Sequence, residues 1–294
     1  MYNTCTCCGK KMENKIHQMR KRLLTYIQDF TGSLDTKENL DIERLDKIVE
    51  NSLEKTNDPY ILKLRHTLKV ESECYNLALN LELNKHDTDL VCAAGLLHDI
   101  GRFEQYKLYS TFRDIHSENH ASLGIKVIKK MGFIDEFSPK ARQILVNAIE
   151  NHNKAEIDPN LSEKSKLITE ILRDADKLDI YRVVSESYER PHEERGVVDL
   201  GLPDTDIVSD EVSNAVIEGR LVRHKDLHNV NDFKLMQIAW IFDFNFNYSV
   251  KEAAERGCID SIFRVLPDIP RIKEIRNMVN AYVARTSKLN HAEV

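Results

Sequence analysis

The chain has 294 residues, with 42 Lys and Arg against 48 Asp and Glu and a formal net charge of −6. That balance argues against a broad phosphate-binding surface for long DNA or RNA. No apolar run approaches the roughly eighteen residues of a membrane span, and the N-terminus shows no apolar signal region, so a cytoplasmic protein without a membrane partner is expected.

Aromatic residues make up only 7%, and Gly and Pro number 10 and 7. Strands favour aromatic and β-branched residues and turns consume Gly and Pro, so the composition leans toward an all-α fold. Six cysteines stand at Cys5, Cys7, Cys8, Cys74, Cys92 and Cys258. The opening cluster CTCC has no second Cys or His pair at zinc-finger spacing and reads as a terminal segment; the other three read as small buried hydrophobes.

In chain order, Met12, Ile16, Met19, Leu23, Ile27 and Phe30 recur every three or four residues and predict a first amphipathic helix. DTKENLDIERLDKIVENSL continues the pattern, and NDPY marks a turn. Residues 1–58 are therefore expected to form an N-terminal helical layer. A dense series of helices follows over 59–190. The first, ILKLRHTLKVESECYNLALNLEL, places His66 between Leu62 and Val70 at four-residue steps. The second, DTDLVCAAGLLHDIG, is expected to start at Asp87 or Thr88 and stop at Gly101. The third, SENHASLGIKVIKKMG, is expected to be capped by Ser117 and closed by Gly132. The fourth opens on Ser138-Pro139, and the fifth is SEKSKLITEILRDADKLDIYRVVSESY. RPHEERGVVDLGLPDTD lacks periodicity and reads as a loop. Residues 191–294 otherwise read as C-terminal helices packed on the core, with Met236, Trp240 and Phe244 on one face. That apolar segment leaves a homo-oligomer open.

The polar residues then fall into a pattern. His66 lies beside an apolar stripe, His98 and Asp99 end the second helix, and His120 lies in the first turn of the third. His152 ends the fourth, and Asp176 falls between Leu172 and Ile180 on the fifth. Each of five successive helices thus presents imidazole or carboxylate next to its core face. Such groups are costly to bury unpaired, and together they suit a divalent first-row metal better than a structural Cys–zinc site. No Gly-rich phosphate loop and no Ser/His/Asp arrangement stands out. The basic segment RLVRHKDLH reads as a solvated face, and His17, His86, His192, His224, His228 and His291 share no common face.

The ordered set His66, His98–Asp99 and Asp176 resembles the HD-domain superfamily of metal-dependent phosphohydrolases. The segments LLHDIGRFEQY, STFRDIHSENHASLG and RDADKLDIYR resemble a group of stand-alone HD proteins over roughly residues 60–190. The resemblance implies an HD-type helical core with additional N- and C-terminal helices. It also implies that His66, His98, Asp99 and Asp176 hold one metal, with Asp99 bridging to a second held by His120 and His152. His116 competes with His120, and Asp174 with Asp176. A single metal suffices if His120 and His152 bind phosphate directly. The ions are one or two divalent transition metals: Fe, Mn, Co, Ni or Zn.

The implied reaction is cleavage of a phosphoester or phosphoanhydride, in a nucleotide or similar phosphorylated small molecule, by a metal-bound hydroxide. Asp99 and Arg102 are expected to be catalytic. Arg102, which takes the lysine position of the HD-GYP motif HDIGK, is also expected with Lys154 and Lys177 to bind substrate phosphate, and Glu104 is a candidate proton carrier. The GYP sequence itself is absent. Two other readings stay open: a di-iron oxygenase on an HD-type scaffold, and a protein that senses a nucleotide without cleaving it.

Overall fold

The computed structural model describes residues 13–31, 58–188 and 202–288. Among these residues there is no strand, and the fold is all-α. The chain divides into two compact units, 1–175 and 176–294, with the division inside one long helix. The N-terminal stretch DTKENLDIERLDKIVENSL, the cysteines of the opening cluster, and residue 190 lie outside the described residues.

In the first unit, α1 (Glu13–Thr31) is followed by α2 (Pro59–Asn80), α3 (Lys85–Leu97), α4 (Gly101–Tyr109), α5 (His120–Met131) and α6 (Pro139–Asn151). Helix α7 (Glu163–Tyr188) begins in this unit and ends in the next. The most extensive packing is α2 on α3, then α4 on α5 and α5 on α6. From Leu90 onward helix α3 is buried all round: Leu90, Val91, Ala93, Ala94, Leu96 and Leu97 have no exposure at all. A helix apolar on every face belongs in a core, and each such leucine stabilises by about 1.5–3 kcal/mol relative to exposure. Gly95 lets α2 come close, since a Cβ there would lie 2.9 Å from the Glu71 Cα and 3.0 Å from the Cys74 sulfur. The buried face of α2 includes Ile61, Leu64, Thr67 and Val70, while Leu62 is 40% exposed. His66 therefore sits at the edge of that face and not in a stripe with Leu62.

Two helix starts and one stop differ from expectation. Helix α3 begins at Lys85, because the Asn84 side chain accepts from the Asp87 amide (3.0 Å) and donates to its carboxylate (2.8 Å). This reciprocal cap outcompetes Asp87 and Thr88 as a start. Gly101 does not stop α3, whose C-cap is His98; it opens α4. A Cβ on Gly101 would fall 2.2 Å from the His120 carbonyl oxygen and 2.5 Å from the Gly124 amide nitrogen. The glycine is there so that α4 and α5 can touch. Helix α5 is capped by Asn119, which accepts from the Ser122 amide at 3.0 Å. Ser117 is spent elsewhere, its hydroxyl donating to the Arg113 carbonyl (2.9 Å) and accepting from Gln105 (2.8 Å). Gly132 closes α5 at φ +64°, and Ser138-Pro139 opens α6 as the motif implies.

The second unit contains the end of α7, then α8 (Asp210–Ile217), α9 (Val230–Ala239), α10 (Asn247–Glu255), α11 (Cys258–Arg264) and α12 (Pro270–Thr286). Its core gathers Leu178, Tyr181, Val212, Leu235, Met236 and Ile238, with Trp240 and Phe244 partly buried against it. The Tyr181 hydroxyl donates to the Gln237 carbonyl at 2.8 Å, so the buried phenol is satisfied. Of the expected loop, residues 202–206 are described and carry no helix. Cys74, Cys92 and Cys258 are buried. No described helix is long and apolar enough to cross a membrane.

Candidate metal centre

The site grows from helix ends. His98 caps α3, His152 caps α6, and His120 is the first residue of α5. Positions at helix ends lie at the boundary between core and loops, where a side chain can be enclosed without interrupting a helix. His98 has no exposure, His120 3%, Asp99 3%, and His66 and His152 6% each. The imidazoles form a chain, with ring centroids 5.3 Å apart for His66–His98, 5.3 Å for His98–His152 and 5.0 Å for His120–His152.

The protons on these rings can be placed from their partners. His98 Nδ1 faces the Gly95 carbonyl at 2.8 Å, His152 Nδ1 faces the Ile149 carbonyl at 2.6 Å, and His120 Nδ1 faces the Asp114 carboxylate at 2.7 Å. An oxygen of these kinds only accepts, so each Nδ1 carries the hydrogen and each Nε2 keeps its lone pair. Burial pushes the His120 imidazole below its ordinary value, despite the opposing pull of Asp114 and Asp99, so the ring is held neutral. The Nε2 atoms of His120 and His152 nevertheless lie 3.0 Å apart, and those of His98 and His66 3.4 Å. The His120 and His152 lone pairs, held this close, repel unless a cation draws on both. The donors therefore fit a metal.

The groups that could hold one are His66, His98 and Asp176, and separately Asp99, His120 and His152; within each group the ligand atoms lie within 4.8 Å of one another. Asp99 stands between the groups. Its Oδ1 is 3.4 Å from His120 Nε2, and its Oδ2 is 3.6 Å from His66 Nε2 and 3.8 Å from His98 Nε2. One carboxylate oxygen thus faces each set. Burial alone pushes the Asp99 carboxyl up, but Lys63, His98, Arg102 and His120 outweigh it and hold the group well below its ordinary value. The donor set contains imidazole and carboxylate and no thiolate, which suits Fe, Mn, Co, Ni or Zn.

Of the competing residues, His116 is exposed in a 3-10 turn and belongs to neither group. Asp174 is fully buried and belongs to neither group, whereas Asp176 does. Asp179 pairs with Arg182 at 2.6 Å. Arg102 is not a free fork. Its Nη1 donates to Gln105 (2.8 Å), to Asp114 (2.8 Å) and to the Phe112 carbonyl, and its Nε lies 3.4 Å from Asp99. Through these contacts the guanidinium braces the two aspartates, while its buried Nε makes no hydrogen bond among the described residues. Lys154 is exposed and bonds the Asn151 side chain at 3.1 Å. Lys177 is engaged by the Asp243 carboxylate and carbonyl in the second unit. Glu104 faces the Tyr26 hydroxyl at 3.5 Å, a contact that with burial pushes the phenol up.

Four residues escaped the sequence reading. Lys63 places Nζ 2.7 Å from Asp99 Oδ2. It stands three residues before His66, one helical neighbour on the same face, and that spacing was a usable signal. Asp114 orients His120 and is itself held by Arg102 and Gln105 (2.8 Å each); its carboxyl, which burial would raise, is held below its ordinary value by His120, Arg102 and Gln105. Gln105 is fully buried and also donates to the Glu118 carbonyl at 2.9 Å. Arg173 of α7 donates to the carbonyls of Asn151 (3.3 Å), His152 (3.4 Å) and Lys154, a cation at the C-terminus of α6.

Residues 64–181 match the family model of the HD domain. The match covers 118 of the 294 residues, and over that segment the chain is similar to the HD-domain superfamily. The matched span contains both His/Asp groups and begins one residue after Lys63. HD domains belong to a superfamily of metal-dependent hydrolases, so this HD domain is a candidate metal centre in its family's sense as well as by its own geometry. No curated protein and no solved structure matches the chain.

Proposed function

We propose that this HD domain hydrolyses a phosphoester or phosphoanhydride bond in a nucleotide or a similar phosphorylated small molecule. The observation that carries the reading is the position of Asp99, which presents one oxygen to each of two His/Asp groups. His66, His98 and Asp176 would hold one divalent ion and His120 and His152 another, with Asp99 shared. Such ions, when bound, supply activated water at neutral pH and neutralise charge on phosphoryl oxygens.

The chain's own side chains do the rest. His98, His120 and His152 keep their protons on Nδ1, turning Nε2 inward. Asp114 fixes the tautomer and angle of His120, as carboxylate partners of ligating histidines do. Arg102 is a positioning residue that ties Asp99 to Asp114. Lys63 supplies a flexible ammonium at the Asp99 carboxylate, where three N–H donors can turn to a phosphoryl oxygen. The low exposure of the imidazoles keeps bulk water from competing for their lone pairs.

The test is metal analysis of protein purified without chelator, joined to a panel of nucleotides and generic phosphodiesters with Mn²⁺, Fe²⁺, Co²⁺ or Ni²⁺. Turnover of a phosphorylated compound with at least one metal is the expected result. Stoichiometric metal with no turnover of any compound would overturn it, and oxygen consumption with iron would replace it by oxygenase chemistry.

A further inference from the structure

Beside the metal centre, in the same unit, aromatic side chains run outward from the core. Phe103 is fully buried and stacks on Tyr60 at 6.4 Å with a 12° interplanar angle. Tyr60 meets Tyr106 edge-on at 5.4 Å, and Tyr106 meets Phe112 at 4.8 Å, tilted by 36°. The last three rings are half-buried. Phe112 then faces Lys63, whose Nζ lies 5.5 Å from the ring centroid, and that same Nζ is 2.7 Å from Asp99. The series therefore ends one side chain from the shared carboxylate.

Phe112 sits on the connection between α4 and α5, and this connection is pinned. Arg102 holds the Phe112 carbonyl, and Gln105 holds Asp114 (2.8 Å) and Ser117 (2.8 Å). A ring kept half-exposed on a held segment forgoes the burial that Phe103 attains, and the fold gains nothing from that alone. A flat π surface beside a cation and a metal centre instead matches a ligand with an aromatic ring at one end and a phosphate at the other.

We infer that Tyr106 and Phe112 form the subsite for the base of a nucleotide, with Lys63 as the cation for its phosphate. The inference rests on the hydrolase reading for where the reacting phosphate goes, and it names the leaving-group side of that same site. Every base has a π face, so a stacking shelf discriminates base from no base far more than one base from another. The cation–π contact between Lys63 and Phe112 keeps the ammonium near both the ring and Asp99.

The experiment uses the full chain loaded with Mn²⁺ and non-hydrolysable phosphonate analogues of AMP and of ribose 5-phosphate, with binding measured by calorimetry. The AMP analogue should bind about ten-fold more tightly, the order expected for one stacked base. Phe112→Leu and Tyr106→Leu should bring that ratio to about two-fold or less, while Lys63→Met weakens both ligands and leaves the ratio in place. In parallel, 2-aminopurine riboside monophosphate should lose fluorescence on binding the unaltered protein and regain it in Phe112→Leu. Circular dichroism confirms that each variant is folded; should Phe112→Leu not fold, Tyr106→Leu carries the test. Equal affinity for the two analogues, no binding of either, or a ratio unmoved in the folded leucine variants overturns the subsite. Base-dependent binding without turnover of any nucleotide would leave the subsite standing and remove the hydrolase reading; turnover with base-independent binding does the reverse.

Discussion

The two His/Asp groups share a helix-end histidine tied to its own backbone, His98 in one and His152 in the other, and differ in how the rest is held. His66 and His98 are set by the packing of α2 on α3, where Gly95 permits close approach and His98 is tied to the backbone of its own helix. His120 depends on a side-chain network, Asp114, Arg102 and Gln105, strung across the α4–α5 connection. The His98 tie is closed to direct substitution because a backbone carbonyl cannot be mutated away. The His120 network is adjustable and exposed to change. Asp99 joins them.

That contrast can be broken from its strongest point downward. Asp99→Ala removes the carboxylate common to both groups, and should abolish turnover and strip metal from both; metal content and activity on the same preparation check this. Retention of one full equivalent of metal would mean that the groups are independent. Gly101→Ala should come next, because its Cβ has no room against α5. Overpacking of this kind costs about 1–3 kcal/mol, seen as a lower Tm, and it should weaken metal binding at His120 before binding at His66.

Asp114→Asn sharpens the comparison. The amide cannot hold the imidazole as a carboxylate does, so affinity for one metal equivalent should fall by about 10–100-fold, with the other equivalent unchanged in a metal titration. Equal loss at both would show that the network supports the whole site. The smallest effect concerns Asp87, which ties the start of α3 to Lys164 on α7. Burial pushes its carboxyl up, but Lys164, His86 and Asn84 outweigh that, and the folded group lies below its ordinary value. A depressed folded value means stability that is present above the unfolded pKa of about 3.9 and lost as pH falls through the folded one. Asp87→Asn should therefore be less stable than the parent at pH 7, and the gap in denaturant midpoint should narrow as the medium becomes more acid than about pH 4.

Much of the candidate site could be seen in the linear chain because its residues lie on helices or at their ends. His66, His98, Asp99, His152 and Asp176 each keep a periodic relation to apolar neighbours, and helical period is a local property. Helix starts were less legible where two capping residues competed. Asn84 displaced Asp87 and Asn119 displaced Ser117, and only the partners available in the folded chain decide which oxygen receives an amide. Arg102 shows the same limit more sharply: its type and place suggest phosphate, and only the fold shows that its Nη1 is held by Gln105, Asp114 and the Phe112 carbonyl.

By itself the sequence determined an all-α chain, since helical period is a local property, and the His, His-Asp and Asp set is a candidate read from its resemblance to the HD domain. The tertiary structure decided the rest. It chose which lysine meets Asp99, which carboxylate orients His120, and why Gly101 must be bare. Those outcomes depend on contacts between elements joined by irregular connections, where no residue spacing along the chain encodes distance in space.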